Sequence, residues 1–159
     1  MEASERLVGS SVFKTDEGPQ GPWRVRFPSA SAGFNGRRDV GSLLVHVTHG
    51  PEAPTRAALA CLVALAAVDE GHEVTMFFAG DAVHLMKDSV IESTTGIGTG
   101  ALADHIPNLV AKEVPIHVSK MSANAREVTE ADLASKNATF AAPKTLVELA
   151  FTADRILTY

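Results

Sequence analysis

Short apolar stretches alternate with helical patterns along residues 42–159. Residues 43–47 and 74–78 are near-continuous apolar and β-branched runs, which are typical of strands buried on both faces of a parallel sheet. Further strands are predicted at residues 115–118, 138–141 and 155–159, and helices at residues 55–70, 82–87, 101–112 and from Pro143 onward. This alternation predicts an α/β fold, a three-layer α/β/α sandwich with a mostly parallel sheet of about five strands.

The first 41 residues differ from the rest in being rich in glycine, serine, proline and charge. Residues 18–22 form a turn-prone centre, and residues 23–27 alternate apolar and basic side chains as a half-buried strand does. We therefore divide the chain into an N-terminal extension, residues 1–41, and a core domain, residues 42–159. The extension is interpreted as an arm or hairpin followed by a linker, with a flexible tail as the alternative.

The predicted helix at residues 55–70 has no polar face, because residues 57–68 are all apolar. This run is too short for a bilayer, which needs about 20 residues, so no membrane partner is expected. A helix that is apolar all round must be covered on all sides. We therefore expect a homo-oligomer with this helix at the subunit interface. The alternative is that the N-terminal extension covers it.

Composition narrows the classes of partner. The 159-residue chain has a formal net charge of -5 and a pI of about 5.6. Its basic residues are scattered, which argues against nucleic acid because phosphate binding needs a concentrated basic surface. A single cysteine, Cys61, excludes an internal disulfide, and no secretory signal is visible. We therefore expect a cytoplasmic location.

The carboxyl ends of the predicted strands are where ligands bind in an open parallel sheet. Three such ends carry polar residues or glycine, at residues 48–51, 79–81 and 119–122. Gly50 permits a tight turn, and Arg56 follows it in the next helix. Asp81 is interpreted as a helix cap in preference to a site carboxylate, although both roles are compatible.

Four polar residues form a candidate anion site. Ser119, Lys120 and Ser122 are predicted to lie at a helix N-terminus, with Arg126 one turn beyond Ser122 on the same face. Together with His49 they would hold a small anion such as a carboxylate, sulfate or phosphate. The alternative is ordinary capping by one of the serines, with Arg126 as a surface charge.

His49 is the best candidate for acid–base chemistry, because it follows a buried strand and histidine is the usual titrating side chain near neutral pH. His46 points to the opposite face of that strand, so the two are not expected to bind a metal together. The glycine-rich segment 96–100 lacks the lysine of a phosphate-binding loop and does not directly follow a strand. It is interpreted as a flexible flap or a loop at a subunit contact, and no cofactor is expected.

Residues 42–159 resemble the DsrE-like sulfur-relay family (DsrE/DsrF/DsrH type). The resemblance rests on the segments THGPE, EGHEVTMFFAGDAV, IHVSKMSANAR, TEADL and TLVELAFTADRILTY, which match in order and spacing. It implies dimers, trimers or hexamers and, for several members, cytoplasmic sulfur transfer through a persulfidated cysteine. Ser119 and Ser122 stand where the family places its cysteine, and a serine hydroxyl cannot carry sulfane sulfur.

The sequence therefore predicts a cytoplasmic, oligomeric DsrE-like protein linked to sulfur metabolism. It is expected to bind a small anionic ligand or to act as an assembly subunit, with a DsrE-like paralogue as a further candidate partner. One alternative is an enzyme that uses His49 as acid or base while Ser119, Lys120 and Arg126 hold an anionic substrate. Another is a sulfur carrier through Cys61, although a mid-helix cysteine is usually an inert core residue.

Overall fold

The computed structural model describes residues 40–159, so the predicted arm, hairpin and linker of the extension lie outside the described residues. The division of the chain at residue 42 stays a prediction. The strands are β1 (Ser42–Val47), β2 (Glu73–Phe78), β3 (Thr95–Gly96), β4 (Gly100–Ala101), β5 (Ile116–Ser119), β6 (Ala138–Ala141) and β7 (Arg155–Thr158). The α-helices are α1 (Pro54–Asp69), α2 (Asp88–Ser93), α3 (Leu102–Ala111), α4 (Lys120–Ala125), α5 (Glu130–Leu133) and α6 (Pro143–Thr152).

Five strands form one parallel sheet in the order β6-β5-β2-β1-β7. At the centre, Val45 of β1 lies opposite Met76 of β2 and Leu157 of β7. The central strands β1 and β2 read as apolar runs because their side chains are covered on both faces of the sheet. The predicted α/β sandwich with about five strands is confirmed, and every pairing in this sheet is parallel.

Helices cover both faces of the sheet. On one face, Val45 and Met76 belong to the large core cluster that includes residues of α1 and α3. On the other face, Leu44 and Phe77 pack against side chains of α6, including Leu149. The two layers of helices cover the two apolar faces of the sheet, and the loops that follow the strands lie at its carboxyl edge.

Helix α1 matches its prediction at both ends. Pro54 occupies the first turn, where a missing N–H breaks no helical bond, and Gly71 follows the C-cap with a φ of 88°. The side facing the sheet is buried, whereas Leu62 is 39% exposed. The described residues therefore leave part of the outer surface of α1 uncovered. No helix in the described part of the chain is long and apolar enough to cross a membrane.

The structure adds detail to two local predictions. The helix predicted at residues 82–87 is a 3-10 helix, Gly80–Met86, which begins two residues earlier. The glycine-rich segment, interpreted as a flexible flap or a loop at a subunit contact, contains a two-stranded antiparallel hairpin, β3 and β4. Gly96 lies against α1, where an added Cβ would be 3.0 Å from Thr55 Cα. The hairpin is held on α1 by a hydrogen bond from the Ile97 N–H to Thr55 Oγ1 at 3.0 Å.

Candidate functional site

The strand order brings the predicted site residues to one edge of the sheet. β5, β2 and β1 are consecutive neighbours and run in the same direction, so their carboxyl ends lie side by side. Ser119 ends β5, while Gly80 follows β2 and His49 follows β1 within two residues of each strand end. The polar loops therefore form one continuous surface, as expected for the ligand edge of a parallel sheet.

The hydroxyl groups of Ser119 and Ser122 form the inner part of the site. Ser119 is the N-cap of α4, and its Oγ accepts hydrogen bonds from the Ser122 N–H at 3.4 Å and the Ser122 hydroxyl at 3.1 Å. Ser122 Oγ accepts a hydrogen bond from the Gly80 N–H at 3.0 Å. Ser119 thus caps the helix, as the capping alternative predicted, while Ser122 also ties α4 to the end of β2.

Arg126 lies at the C-cap of α4, and its guanidinium reaches back along the helix. Its Nε donates to Asp81 Oδ1 at 2.8 Å, and its Nη1 donates to the Ser122 carbonyl at 3.3 Å. The prediction that Asp81 caps a helix is wrong, because Ala79 is the N-cap of the 3-10 helix and no side chain caps it. The Arg126 and Asp81 side chains are 28% and 56% exposed, so their pair adds about 0–1 kcal/mol to stability.

Hydrogen bonds at both ring nitrogens orient His49. Nδ1 lies 3.2 Å from Thr48 Oγ1, and Nε2 lies 3.2 Å from Arg56 Nη1. A guanidinium only donates, so Nε2 accepts. The Thr48 hydroxyl gives its proton to the Tyr159 carbonyl at 2.8 Å, so Nδ1 carries the ring proton and donates to Thr48. This tautomer is assigned from the bonding pattern, and both nitrogens are engaged while Arg56 stays in place.

Gly50, in the loop after β1, packs directly against the backbone of Asp81 at the start of the 3-10 helix. A Cβ atom at this position would overlap the Asp81 carbonyl oxygen, so no side chain fits. The Gly50 N–H donates to both carboxylate oxygens of Glu52, at 2.8 and 3.0 Å. The absence of a side chain lets the loop carrying His49 pack directly on the start of the 3-10 helix that carries Asp81.

Lys120 opens α4, directly after the N-cap, and is exposed. Lys120 and Arg56 are therefore the two solvent-exposed cations of the site. The structure thus brings together all the predicted site residues at one edge, although in two hydrogen-bonded groups. One group contains the serines, Arg126 and Asp81, and the other contains His49 and Arg56.

Cys61 lies in the middle of α1 and is fully buried. Burial raises the pKa of its thiol to about 12. A thiolate is the form of cysteine that attacks and carries sulfur. Cys61 is therefore neither accessible nor ionised at neutral pH in this fold, which argues against its role as a sulfur carrier.

Two other histidines lie on the α6 face of the sheet. His46 and His117 flank Phe77 on neighbouring strands, with ring centroids 6.0 and 6.4 Å from the phenyl ring. Burial lowers the pKa of both imidazoles. Both rings therefore pack in the apolar layer between the sheet and α6. Across residues 40–159, no group of three or more histidine, cysteine or carboxylate side chains is placed to hold a metal ion.

Sequence reasoning missed Thr48 and Tyr159, which organise the first loop. The Tyr159 N–H donates to the His46 carbonyl and its own carbonyl accepts from the Thr48 N–H, so the β1–β7 pairing continues past both strands. The sequence predicted the last strand but not its neighbour. It also assigned no site to the amino edge, where a cavity of about 470 Å³ is lined in part by His72 and Asp154.

These features define a class of protein, a three-layer α/β/α domain with a polar candidate site at the carboxyl edge of a parallel sheet. The chain belongs to the DsrE/DsrF-like family, whose model matches residues 41–159. The family resemblance drawn from the sequence motifs is thereby confirmed. No curated protein is a significant match to this sequence.

Solved structures share this fold. The domain is similar to the crystal structure of the ychN protein from E. coli, with a TM-score of 0.62 and 15% sequence identity, over 76% of this chain and 100% of that one. It is also similar to a conserved protein of unknown function, BT1422, from Bacteroides thetaiotaomicron. That match has a TM-score of 0.58 and 14% identity, over 75% of this chain and 95% of the other.

Proposed function

We propose that this DsrE-family protein takes part in sulfur metabolism in the cytoplasm by binding a small anion, and that it does not carry sulfur as a persulfide. One observation carries the proposal: Ser119 at the end of β5 and Ser122 in the first turn of α4 stand where the family resemblance places the reactive cysteine. The one cysteine of the chain is buried in α1 with a raised pKa. Membership of the DsrE/DsrF-like family supports the link to sulfur metabolism.

The donors at the carboxyl edge favour an anion. Arg126 uses Nε and Nη1 in its contacts, which leaves both N–H groups of Nη2 for a ligand. Lys120 and Arg56 add two exposed positive charges at the same edge. Asp81 opposes them, because its carboxylate already occupies Nε of Arg126. The Asp81 carboxylate repels an anion that binds Nη2 and so lowers its affinity.

Calorimetric titration of the full-length protein tests this proposal. Sulfate, sulfite, thiosulfate and phosphate are each titrated into the wild type and into Ser119→Ala, Lys120→Ala and Arg126→Ala. We expect at least one anion to bind the wild type and each substitution to abolish that binding. Lys144→Ala is the matched control, since it removes one exposed positive charge from α6. Unchanged binding in all three site variants would refute the anion site.

An enzymatic role is the second candidate, and the defined orientation of His49 favours it. As a base, His49 must first lose the Arg56 N–H that occupies its Nε2. Turnover of small phosphate and sulfate esters is compared for the wild type, His49→Ala and Arg56→Lys. Activity that His49→Ala removes would establish this role. A wild type without activity, or one matched by His49→Ala, speaks against it.

We also propose a homo-oligomer formed through the outer face of α1. Leu62 is 39% exposed there, and Leu59 and Val63 are half-buried. An apolar helix surface of this kind is normally covered by another element. Native mass spectrometry should show a dimer, trimer or hexamer that Leu62→Glu dissociates. A wild-type monomer would refute the interface, and a stable complex with a DsrE-like paralogue would favour a structural subunit.

A further inference from the structure

A groove between α2, α3 and the turn before β6 shares no residue with the candidate site. It encloses about 410 Å³, within the ~300–1,000 Å³ typical of small-molecule sites. Its lining residues are Asp88, Ile91, Ile106, Pro107, Val110, Ala111, Ser135 and Lys136. Most of this lining is apolar, and its two charged members are Lys136 and Asp88. The groove therefore combines an apolar bed with one positive anchor.

The anchor, Lys136, is a buried lysine with an incomplete set of partners. The residue is 7% exposed, and its Nζ lies 2.7 Å from Asp88 Oδ1. An ammonium has three N–H donors, and lysine is rarely buried unless it is paired. The Asp88 side chain is 80% exposed, so the partner sits mostly in water while the ammonium does not. Both members of this ion pair belong to the lining of the groove.

The backbone holds Lys136 in this position at a conformational cost. Its neighbours Ser135 and Asn137 have φ values of 63° and 50°, in the left-handed region, which asparagine tolerates but which costs a serine about 1–2 kcal/mol. The turn is fixed by the Asn137 side-chain amide, which donates to the Glu113 and Val114 carbonyls at 3.0 Å. Strain of this kind persists where the surrounding structure fixes it, often at ligand sites.

We propose that this groove binds a small amphipathic carboxylate, with its aliphatic chain along α3 and its carboxylate on the Lys136 ammonium. The Asp88 side chain already shows that a carboxylate oxygen reaches Nζ at 2.7 Å. Because Asp88 is exposed, it can turn into water when a ligand carboxylate takes its place. The Ile106 and Val110 side chains then cover the chain of the ligand. The proposal is independent of the anion site at the carboxyl edge.

Octanoate is the probe, titrated below its micelle concentration into the full-length protein and followed by NMR and calorimetry. We expect saturable binding of one octanoate per chain, with methyl shifts at Ile91, Ile106 and Val110. Octan-1-ol, which has the same chain without the charge, should bind about tenfold more weakly. Lys136→Met keeps the unbranched stem of the side chain and should also weaken octanoate binding about tenfold.

Two further variants keep the test decisive if Lys136→Met fails to fold. Asp88→Asn changes an exposed side chain, removes the competing charge and should tighten octanoate binding severalfold. Lys112→Met, which breaks the exposed pair with Asp69 instead, should leave binding unchanged. The proposal is overturned by an absence of saturable binding, by equal binding of octan-1-ol and octanoate, or by an affinity that Asp88→Asn does not raise. Methyl shifts outside the groove would also overturn it.

Discussion

The Arg126 guanidinium binds Asp81 Oδ1 at 2.8 Å, which joins the end of α4 to the loop after β2. The two residues are far apart in sequence, and the parallel order of β5 and β2 makes them neighbours. Asp81 thus partly neutralises the positive charge of Arg126, which would otherwise be available to bind an anion. If Asp81 both stabilises the fold and weakens anion binding, then removing its charge should change the two quantities in opposite directions.

Replacing Asp81 by asparagine should strengthen anion binding severalfold. The substitution removes the negative charge that competes for Arg126 Nε while it keeps the shape of the side chain. Stability should fall by less than about 1 kcal/mol, because the pair is partly exposed. Calorimetric titration with the bound anion and urea denaturation measure the two quantities.

The control for Asp81→Asn is Asp69→Asn, which removes a comparable exposed ion pair with Lys112 at 2.6 Å. It should change neither the anion affinity nor the stability by a measurable amount. If Asp81→Asn weakens anion binding, then Asp81 supports the ligand geometry instead of competing with it.

The fold was predictable because its strands and helices have distinct apolar patterns. β1 and β2 are covered on both faces and so are largely apolar, and Pro54 and Gly71 mark the ends of α1. The helix after β2 was predicted but its 3-10 geometry was not, because composition alone does not distinguish a tight 3-10 turn from an α-helical one. The hairpin of β3 and β4 was missed because two-residue strands have no periodicity.

The location of the candidate site residues at one edge was predictable, but the hydrogen bonds among them were not. Strand ends and glycine positions placed His49, Ser119 and Arg126 at one edge. That Asp81 binds Arg126 and does not cap a helix depends on which loops become neighbours, and therefore on the strand order. A single sequence gives little information on contacts between loops that are far apart along the chain.

Substituting alanine for Gly50 should destabilise the protein by about 1–3 kcal/mol, because the new methyl group overlaps the Asp81 carbonyl and the loops must separate. Anion binding should weaken as the two halves of the site move apart. Gly41→Ala is the control, since its Cβ would meet the Asp154 carboxylate at an ordinary 3.5 Å. Urea denaturation and titration of both variants check this, and an unperturbed Gly50→Ala would contradict the tight loop contact.

Introducing a thiol at Ser122 should convert the site into a sulfur acceptor. The Gly80 N–H that donates to Ser122 Oγ would donate to a thiolate at the same place, which lowers the pKa of the thiol. That thiolate attacks the sulfane sulfur of an added polysulfide, a persulfide forms, and the shortened polysulfide leaves. Intact-protein mass spectrometry should show one added sulfur in Ser122→Cys and none in the wild type, whose Cys61 is buried.

The matched control for this conversion is Ser93→Cys, an exposed position on α2 at which the serine hydroxyl only donates to backbone carbonyls. Its thiol lacks an N–H donor and should take up sulfur more slowly than Ser122→Cys. Equal rates at the two positions would show that exposure alone, and not the geometry at the end of β5, controls sulfur uptake.

Acid should destabilise the domain through His46 and His117. Burial lowers the pKa of both, so the folded state binds their protons less readily than the unfolded chain does. Their contribution to stability is therefore complete above the ordinary histidine pKa of about 6.5 and is lost as pH falls below it. His46 Nε2 is also buried without a hydrogen-bond partner, which makes its protonation less favourable.

Urea denaturation between about pH 7.5 and pH 5 measures this dependence. The double variant His46→Gln, His117→Gln should flatten the fall in the free energy of unfolding on the acid side. His84→Gln is the control, because that residue lies on the 3-10 helix and leaves the α6 face of the sheet intact. If the double variant loses as much stability in acid as the wild type, the acid sensitivity arises from other groups and not from the protonation of these two imidazoles.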